Sequence, residues 1–304
     1  MLRAHAVVLS LIAVTAVCRG ARAEEGPARV EWQWKSPDVW EYPVTAVALG
    51  GAFYLRFAGP TPSANWKGGI LGDDWIQEHT ALQSTVQRDK VTTITDYFFY
   101  GSMAYRFVDS AILPTVVWGK PSVALQLSFI DLESFGFSAI ALWGGQGLFG
   151  RERPFAKHCQ DPKFAATESG CPADAVEHNR SFFAGHPATV LTAAGLTCTH
   201  HSHLPLYGGG APDMIACGLL IGAAGMTAIG REIAEKHHAS DVVFGLGVGV
   251  FSGWVLPEIL HYGRAKPAPD PGPAPVASTA PLVRASFFPM IGAHDLGVGL
   301  GGVM

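Results

Sequence analysis

Charge is scarce in this chain. Of 304 residues only 15% are Asp, Glu, Lys or Arg, while 48% are hydrophobic; an average soluble domain carries about 25% charge. A chain so poor in charge and so rich in Gly, Ala, Val and Leu is neither disordered nor a coiled coil over its bulk. It reads instead as a membrane protein or a heavily buried helical bundle. Positive charge is especially thin: 21 Lys and Arg stand against 25 Asp and Glu, a net charge of −4, with no lysine-rich stripe. That balance argues against nucleic acid as the partner. Cysteine is limited to five residues, with no CxxC pair and no Cys/His spacing of a zinc site. There is no internal repeat, and at this length one large domain with appendages is expected.

Residues 1–23 read as a secretory signal. Arg3 gives the positive end, residues 4–17 the apolar core, and Ala21-Arg22-Ala23 the small-x-small cleavage site before Glu24. Removing this segment takes away three arginines and no acid, leaving 18 basic against 25 acidic residues, a net charge of −7. Export places the mature chain in an oxidising compartment, where disulfides persist. Cys18 leaves with the signal. Cys159 and Cys171 bracket a polar loop and are candidates for a disulfide. Cys198 and Cys217 lie in apolar segments, where a second disulfide and two buried thiols are equally open.

Beyond the signal, residues 24–96 form a mixed, aromatic extracytoplasmic segment with Trp32, Trp34, Trp40 and Trp66. Its apolar stretch 44–57 is too brief to cross a bilayer comfortably. From Tyr97 to residue 264 the texture is that of helical apolar blocks, at about 97–118, 121–150, 186–200, 213–231 and 241–262. No charge falls in the 17 residues between Asp213 and Arg231, nor in the 16 between Asp241 and Glu258. Both lengths sit near the lower limit for a spanning helix. Gly218/Gly222 and Gly245/Gly249/Gly253 place small residues four apart, a spacing that lets helix backbones approach closely. Residues 265–283 carry six prolines and read as an extended linker, and residues 284–304 as a glycine-rich apolar tail.

Histidines and arginines at the edges of these blocks carry the chemistry. His237 and Asp241 are four apart, so on a helical turn they share a face and the carboxylate is placed to orient the imidazole. Such orientation suits a nucleophile or a base. Arg231, six residues before His237, offers a planar fork for phosphate oxygens. Ser181-Phe-Phe-Ala184-Gly185-His186-Pro187 opens an apolar helix. Gly185 lets the backbone approach a ligand, and the free N–H groups of a helix start favour an anion. His186 there is placed to give a proton to a leaving oxygen. Arg151 and Arg153-Pro154 end the preceding block. His200, His201 and His203 invite a metal reading, but they sit at the opposite end of their helix, before Leu204-Pro205-Leu206. His178-Asn179-Arg180 reads as a surface loop and His238 as a solvent-facing neighbour.

Taken in order, these elements resemble the type 2 phosphatidic acid phosphatase (PAP2) superfamily, shared with bacterial class A acid phosphatases and vanadium haloperoxidases. Its three motifs are K-x6-RP, PSGH and SR-x5-H-x3-D. The first stands here as Gln146-x6-Arg153-Pro154, with glutamine in place of lysine. The second is Phe183-Ala184-Gly185-His186, and the third Gly230-Arg231-x5-His237-x3-Asp241. The resemblance covers about residues 95–262 and implies an all-α, PAP2-like helical bundle, integral to a membrane, with five or six core helices. It further implies a metal-independent, cofactor-free phosphatase acting on lipid phosphates or pyrophosphates. His237 would be the nucleophile, Asp241 its orienting partner and His186 the proton donor. Arg153, Arg231, Gly185, Gln146 and Ala184 would lie around the phosphate, with Arg151 a substitute for the missing lysine. All three motifs fall at the same side of the bundle if the five blocks span. With the signal cleaved, that side is the periplasmic face of a bacterial inner membrane. A soluble periplasmic acid phosphatase and a catalytically silent relative are the alternatives.

Overall fold

The computed structural model describes residues 29–168, 170–172, 175 and 177–264, together with the backbone of two strands near the C-terminus. The signal segment and the proline-rich linker lie outside the described residues. The chain divides into two units at residues 266/267.

The first unit is an all-α bundle. Its helices are α1 (Glu41–Phe57), α2 (Asp73–Thr80), α3 (Thr85–Phe107), α4 (Pro121–Phe149), α5 (Gly185–His203), α6 (Ala211–Ile233) and α7 (Ala239–Val250). A π turn extends α3 to a last turn at Leu113–Val116, and α7 runs on through π segments to Tyr262. Helix starts follow local chemistry: Pro121 and Pro212 occupy first-turn positions, where a missing N–H does no harm. The stop of α6 is less ordinary. Glu235 takes the left-handed conformation (φ 57°), and the N–H groups of Glu235 and Lys236 donate to the carbonyls of Glu232 and Arg231. This is a Schellman closure with glutamate where glycine is usual. The buried Glu235 carboxylate is held in place by Arg88, Lys157 and His158.

Helix α5 is the centre of the bundle, buried along most of its length and packed by α3, α4, α6 and α7. Helix α7 meets it through a glycine seam. A Cβ on Gly245, Gly249 or Gly253 would fall 2.5, 2.8 and 2.7 Å from the carbonyl oxygens of Ala184, Ala188 and Thr192. Gly218 and Gly222 behave differently, with open space where their side chains would be. Small-residue spacing thus marks a packed seam on α7 and an unpacked face on α6. At the far end, Arg106 bonds Asp109 (2.6 Å), Asp131 (3.0 Å) and Thr197 (3.1 Å). His200 bonds Asp131 and Tyr262, and His201 bonds Asp109 and Asp213. Both histidines are therefore absorbed in an ion-pair network that joins α3, α4, α5 and α6. Disulfides close Cys159–Cys171 and Cys198–Cys217, the second fastening α5 to α6.

Among the described residues, three helices are long and apolar enough to cross a membrane: Pro121–Phe149, Ala211–Ile233 and Ala239–Tyr262. Their outer faces expose Leu125, Leu132, Leu219, Met226, Ile229 and Val243, an apolar jacket that lipid, rather than water, would cover. Helix α3 runs unbroken through residue 97. The aromatic segment before it belongs to the same unit, since α1 packs along α4.

The second unit contains an antiparallel pair of strands, β1 (Arg284–Ile291) and β2 (Leu296–Val303), with Arg284 opposite Val303 and Ile291 opposite Leu296. The glycine-rich tail alone gave no sign of this hairpin.

Candidate active site

Five stretches of chain meet at one end of the bundle around a cavity of about 330 Å3, within the usual size for a small-molecule site. Its walls include Gln146 and Arg153 from the end of α4 and the turn after it, Gly185 and His186 from the start of α5, and Arg231 and His237 from the α6–α7 connection. The cavity thus collects six of the eight residues expected around the phosphoryl group or in catalysis. Asp241 and Ala184 are the other two.

His237 is almost fully buried. Its Nδ1 donates to the backbone carbonyl of Ser181 at 2.7 Å; a carbonyl only accepts, so Nδ1 carries the proton and Nε2 keeps its lone pair. Among the described residues no hydrogen bond engages Nε2. Burial first, then the Arg153 and Arg231 guanidiniums, hold this imidazole well below the ordinary histidine value, against the pull of the Ser181 carbonyl. It is neutral at physiological pH, with a free nitrogen lone pair.

His186 opens α5, and its Nε2 lies 3.0 Å from Asp96 Oδ1; the same oxygen accepts from Arg231 Nη2 at 2.9 Å. One carboxylate therefore ties an arginine and a histidine of the cavity together. Arg153 donates to the Lys236 carbonyl (3.0 Å) and to Glu177 (2.8 Å). The Nε atoms of Arg153 and Arg231 are buried with no hydrogen-bond partner among the described residues. Arg153, Arg231 and the first-turn N–H groups of Gly185 and His186 thus stand together at the cavity, a combination suited to an anion.

Several expectations are corrected here. Asp241 does not touch His237. Its carboxylate is fully buried and accepts from Ser181 Oγ (2.5 Å), Arg151 Nη1 (2.5 Å) and the His238 N–H (2.8 Å). Asp241 caps the first turn of α7, which turns its side chain toward the backbone of that helix start. It is linked to His237 through Ser181, whose carbonyl accepts from the ring, and through the backbone N–H of His238. Arg151 cannot replace the missing lysine: it is wholly buried between Asp241 and Asp73 (2.8 Å) and stacks over Trp66. Ala184 lies under the cavity floor, its N–H donating to the Asp241 carbonyl and its backbone against Gly245. Gln146 does line the cavity, but its Nε2 is committed to the Phe183 carbonyl at 2.8 Å. His178, Asn179 and Arg180 are buried, not a surface loop, and His238 is the N-cap of α7 rather than a solvent-facing neighbour.

The cavity also holds residues that no motif announced: Arg56 from α1, Thr92, Asp96 and Tyr100 from α3, and Lys236 beside His237. Lys236 adds a further cation to the cavity wall, with its Nζ paired to Glu168 at 2.9 Å. Only Lys236 adjoins a motif residue; the others are brought in by packing over long sequence separations.

Arginines and histidines thus line one cavity at an end of an apolar helical bundle. Residues 136–264 match the model of the PAP2 superfamily, so the chain carries a PAP2 superfamily domain, and that superfamily is generally one of phosphatases. No curated protein and no solved structure matches the chain. The matched segment holds Gln146, Arg153, Gly185, His186, Arg231 and His237, whereas Arg56, Asp96 and Tyr100 precede it.

Proposed function

We propose that the protein is a metal-independent phosphatase that hydrolyses lipid phosphate or pyrophosphate monoesters through a phosphohistidine on His237. The observation that carries this reading is the His237 ring, pinned at Nδ1 by the Ser181 carbonyl, in the wall of a cavity that Arg153, Arg231 and His186 also line. The Nε2 lone pair forms a bond to phosphorus while the bond from phosphorus to the leaving oxygen breaks. His186 gives that oxygen a proton, then takes one from the water that cleaves the N–P bond, so inorganic phosphate leaves and both histidines return to their starting states. Arg153, Arg231 and the α5 N–H groups stabilise the equatorial oxygens. The apolar outer faces of α4, α6 and α7 and the aromatic cavity residues Tyr100, Trp143 and Phe155 favour a substrate with a lipid tail. A bacterial inner membrane with the cavity on the periplasmic side is the location that fits an exported amino terminus.

Purified protein in detergent should release phosphate from phosphatidic acid or a polyprenyl pyrophosphate, and acid-labile 32P should be trapped on the chain. His237→Ala should lose about 10^4-fold or more in kcat and trap no label. Equal rates from both proteins would end this reading.

A further inference from the structure

At the end of α1 away from the cavity, three ionisable side chains from remote parts of the chain converge. They are Glu41, the first residue of α1; Glu133, in the middle of α4; and His261, near the end of α7. One donor atom from each lies within 4.8 Å of the other two. His261 Nε2 is 2.7 Å from Glu133 Oε2, and His261 Nδ1 is 3.9 Å from Glu41 Oε2. Glu41 and His261 are 0% exposed.

The anomaly is Glu41. Both its carboxylate oxygens are buried and accept no side-chain hydrogen bond among the described residues, the Asp38 backbone being the donor beside them, and the His261 Nδ1 facing them is unpartnered. The nearest cation is Arg264, whose Nη1 stands 3.6 Å from Glu41 Oε1 but donates to Asp38 at 2.9 Å. A buried carboxylate with so few donors is among the costlier things a fold can contain. Two carboxylates and an imidazole are, in contrast, an ordinary donor set for a divalent transition ion with one position left open. Around such an ion the donor atoms stand about 3.4 Å apart for bonds near 2.1 Å, so the widest separation, within 4.8 Å, has to close by about an ångström while the 2.7 Å contact of His261 with Glu133 opens by less than that.

We infer that Glu41, Glu133 and His261 form a binding site for a divalent transition-metal ion, Zn2+ being the one best matched to this donor set. The ion gives the Glu41 oxygens and the His261 nitrogen a common partner and ties α1, α4 and the end of α7 together. About 15 residues of α1, some 22 Å, separate Glu41 from Arg56 at the cavity. The ion is therefore a structural clasp with no part in phosphoryl transfer. The inference does not rest on the phosphatase reading.

The test uses the full-length protein in detergent, stripped with EDTA and titrated with ZnSO4, with bound metal measured by mass spectrometry and unfolding followed by tryptophan fluorescence. About one Zn2+ per chain is expected, with a rise in Tm on binding. Glu41→Gln and Glu133→Gln, which keep side-chain shape, should each weaken Zn2+ at least about tenfold and remove the Tm rise, while His237→Ala keeps both. Co2+ in place of Zn2+ should give visible absorption bands that change in His261→Gln, a readout independent of stability. Failure to bind near one equivalent, or equal binding by the two glutamine variants, would overturn the assignment. It would leave a protonated His261 bridging two carboxylates as the account of the cluster.

Discussion

Asp241→Asn separates two accounts of the same carboxylate. If Asp241 oriented His237 directly, the amide would lower kcat and leave stability almost untouched. The hydrogen bonds say otherwise. Asp241 balances Arg151, a guanidinium with no solvent exposure, at 2.5 Å, and also holds Ser181 and the first turn of α7. Removing one partner of a buried ion pair costs about 3–5 kcal/mol. Asp73 still faces Arg151 at 2.8 Å, so the low end, about 3 kcal/mol, is the appropriate figure. For a bundle of this size each kcal/mol shifts Tm by about 2–4 °C, which gives a fall of about 6–12 °C. The experiment pairs thermal unfolding in detergent with phosphatase kinetics at a temperature where the variant remains folded. A large Tm loss with a smaller loss of kcat is expected. An unchanged Tm with kcat reduced a thousandfold would refute the strut and restore direct orientation.

Three further outcomes follow from the same geometry. The His237 imidazole acts in its neutral form, and Arg231 helps depress its proton affinity; Arg231→Gln should therefore raise that affinity, so activity is lost at a higher pH as the solution is acidified. The check is the acid limb of kcat/KM measured for both proteins on one substrate, and a limb that stays put or moves down would contradict the electrostatics. Gly249→Val drives a side chain into the Ala188 carbonyl, 2.8 Å from where its Cβ would sit, and should destabilise by about 1–3 kcal/mol, whereas Gly222→Val, into open space, should change Tm little; equal effects would deny the seam. Lys236→Met should lower kcat/KM about tenfold, the value of one charge-assisted contact, and Gln146→Lys in that background should recover part of it, since both positions face the same cavity.

Local motif spacing revealed more than it explained. Arg153, His186, Arg231 and His237 could be picked out because each stands at the margin of an apolar block, where a polar residue has no packing reason to be. Asp96 could not: it sits in the middle of α3 among threonines and aromatics, and only the fold brings it to His186. Spacing misled at Asp241, because a carboxylate four residues after a histidine suits a helical face as well as it suits the third position of a capping box, and here the helix begins between the two. Arg151 failed for a related reason. Its neighbour Arg153 reaches the cavity, but Arg151 pairs in an isolated bridge with Trp66 and points the other way, into Asp73 and Asp241. Glu41, Glu133 and His261 are more than 90 residues apart at each step, beyond any spacing rule.

The glycine seam has a consequence for the reacting groups themselves. His186 opens α5 and His237 immediately precedes α7, so the two imidazoles ride on a pair of helices in main-chain contact at Gly245, Gly249 and Gly253. At each of these three glycines the nearest neighbour is a main-chain carbonyl of α5, so the approach of the helices there is set by backbone against backbone. Under the proposed function, the gap that a phosphorus atom would enter is in this way gauged by covalent geometry, which tolerates less drift than a gap set by interdigitated leucines.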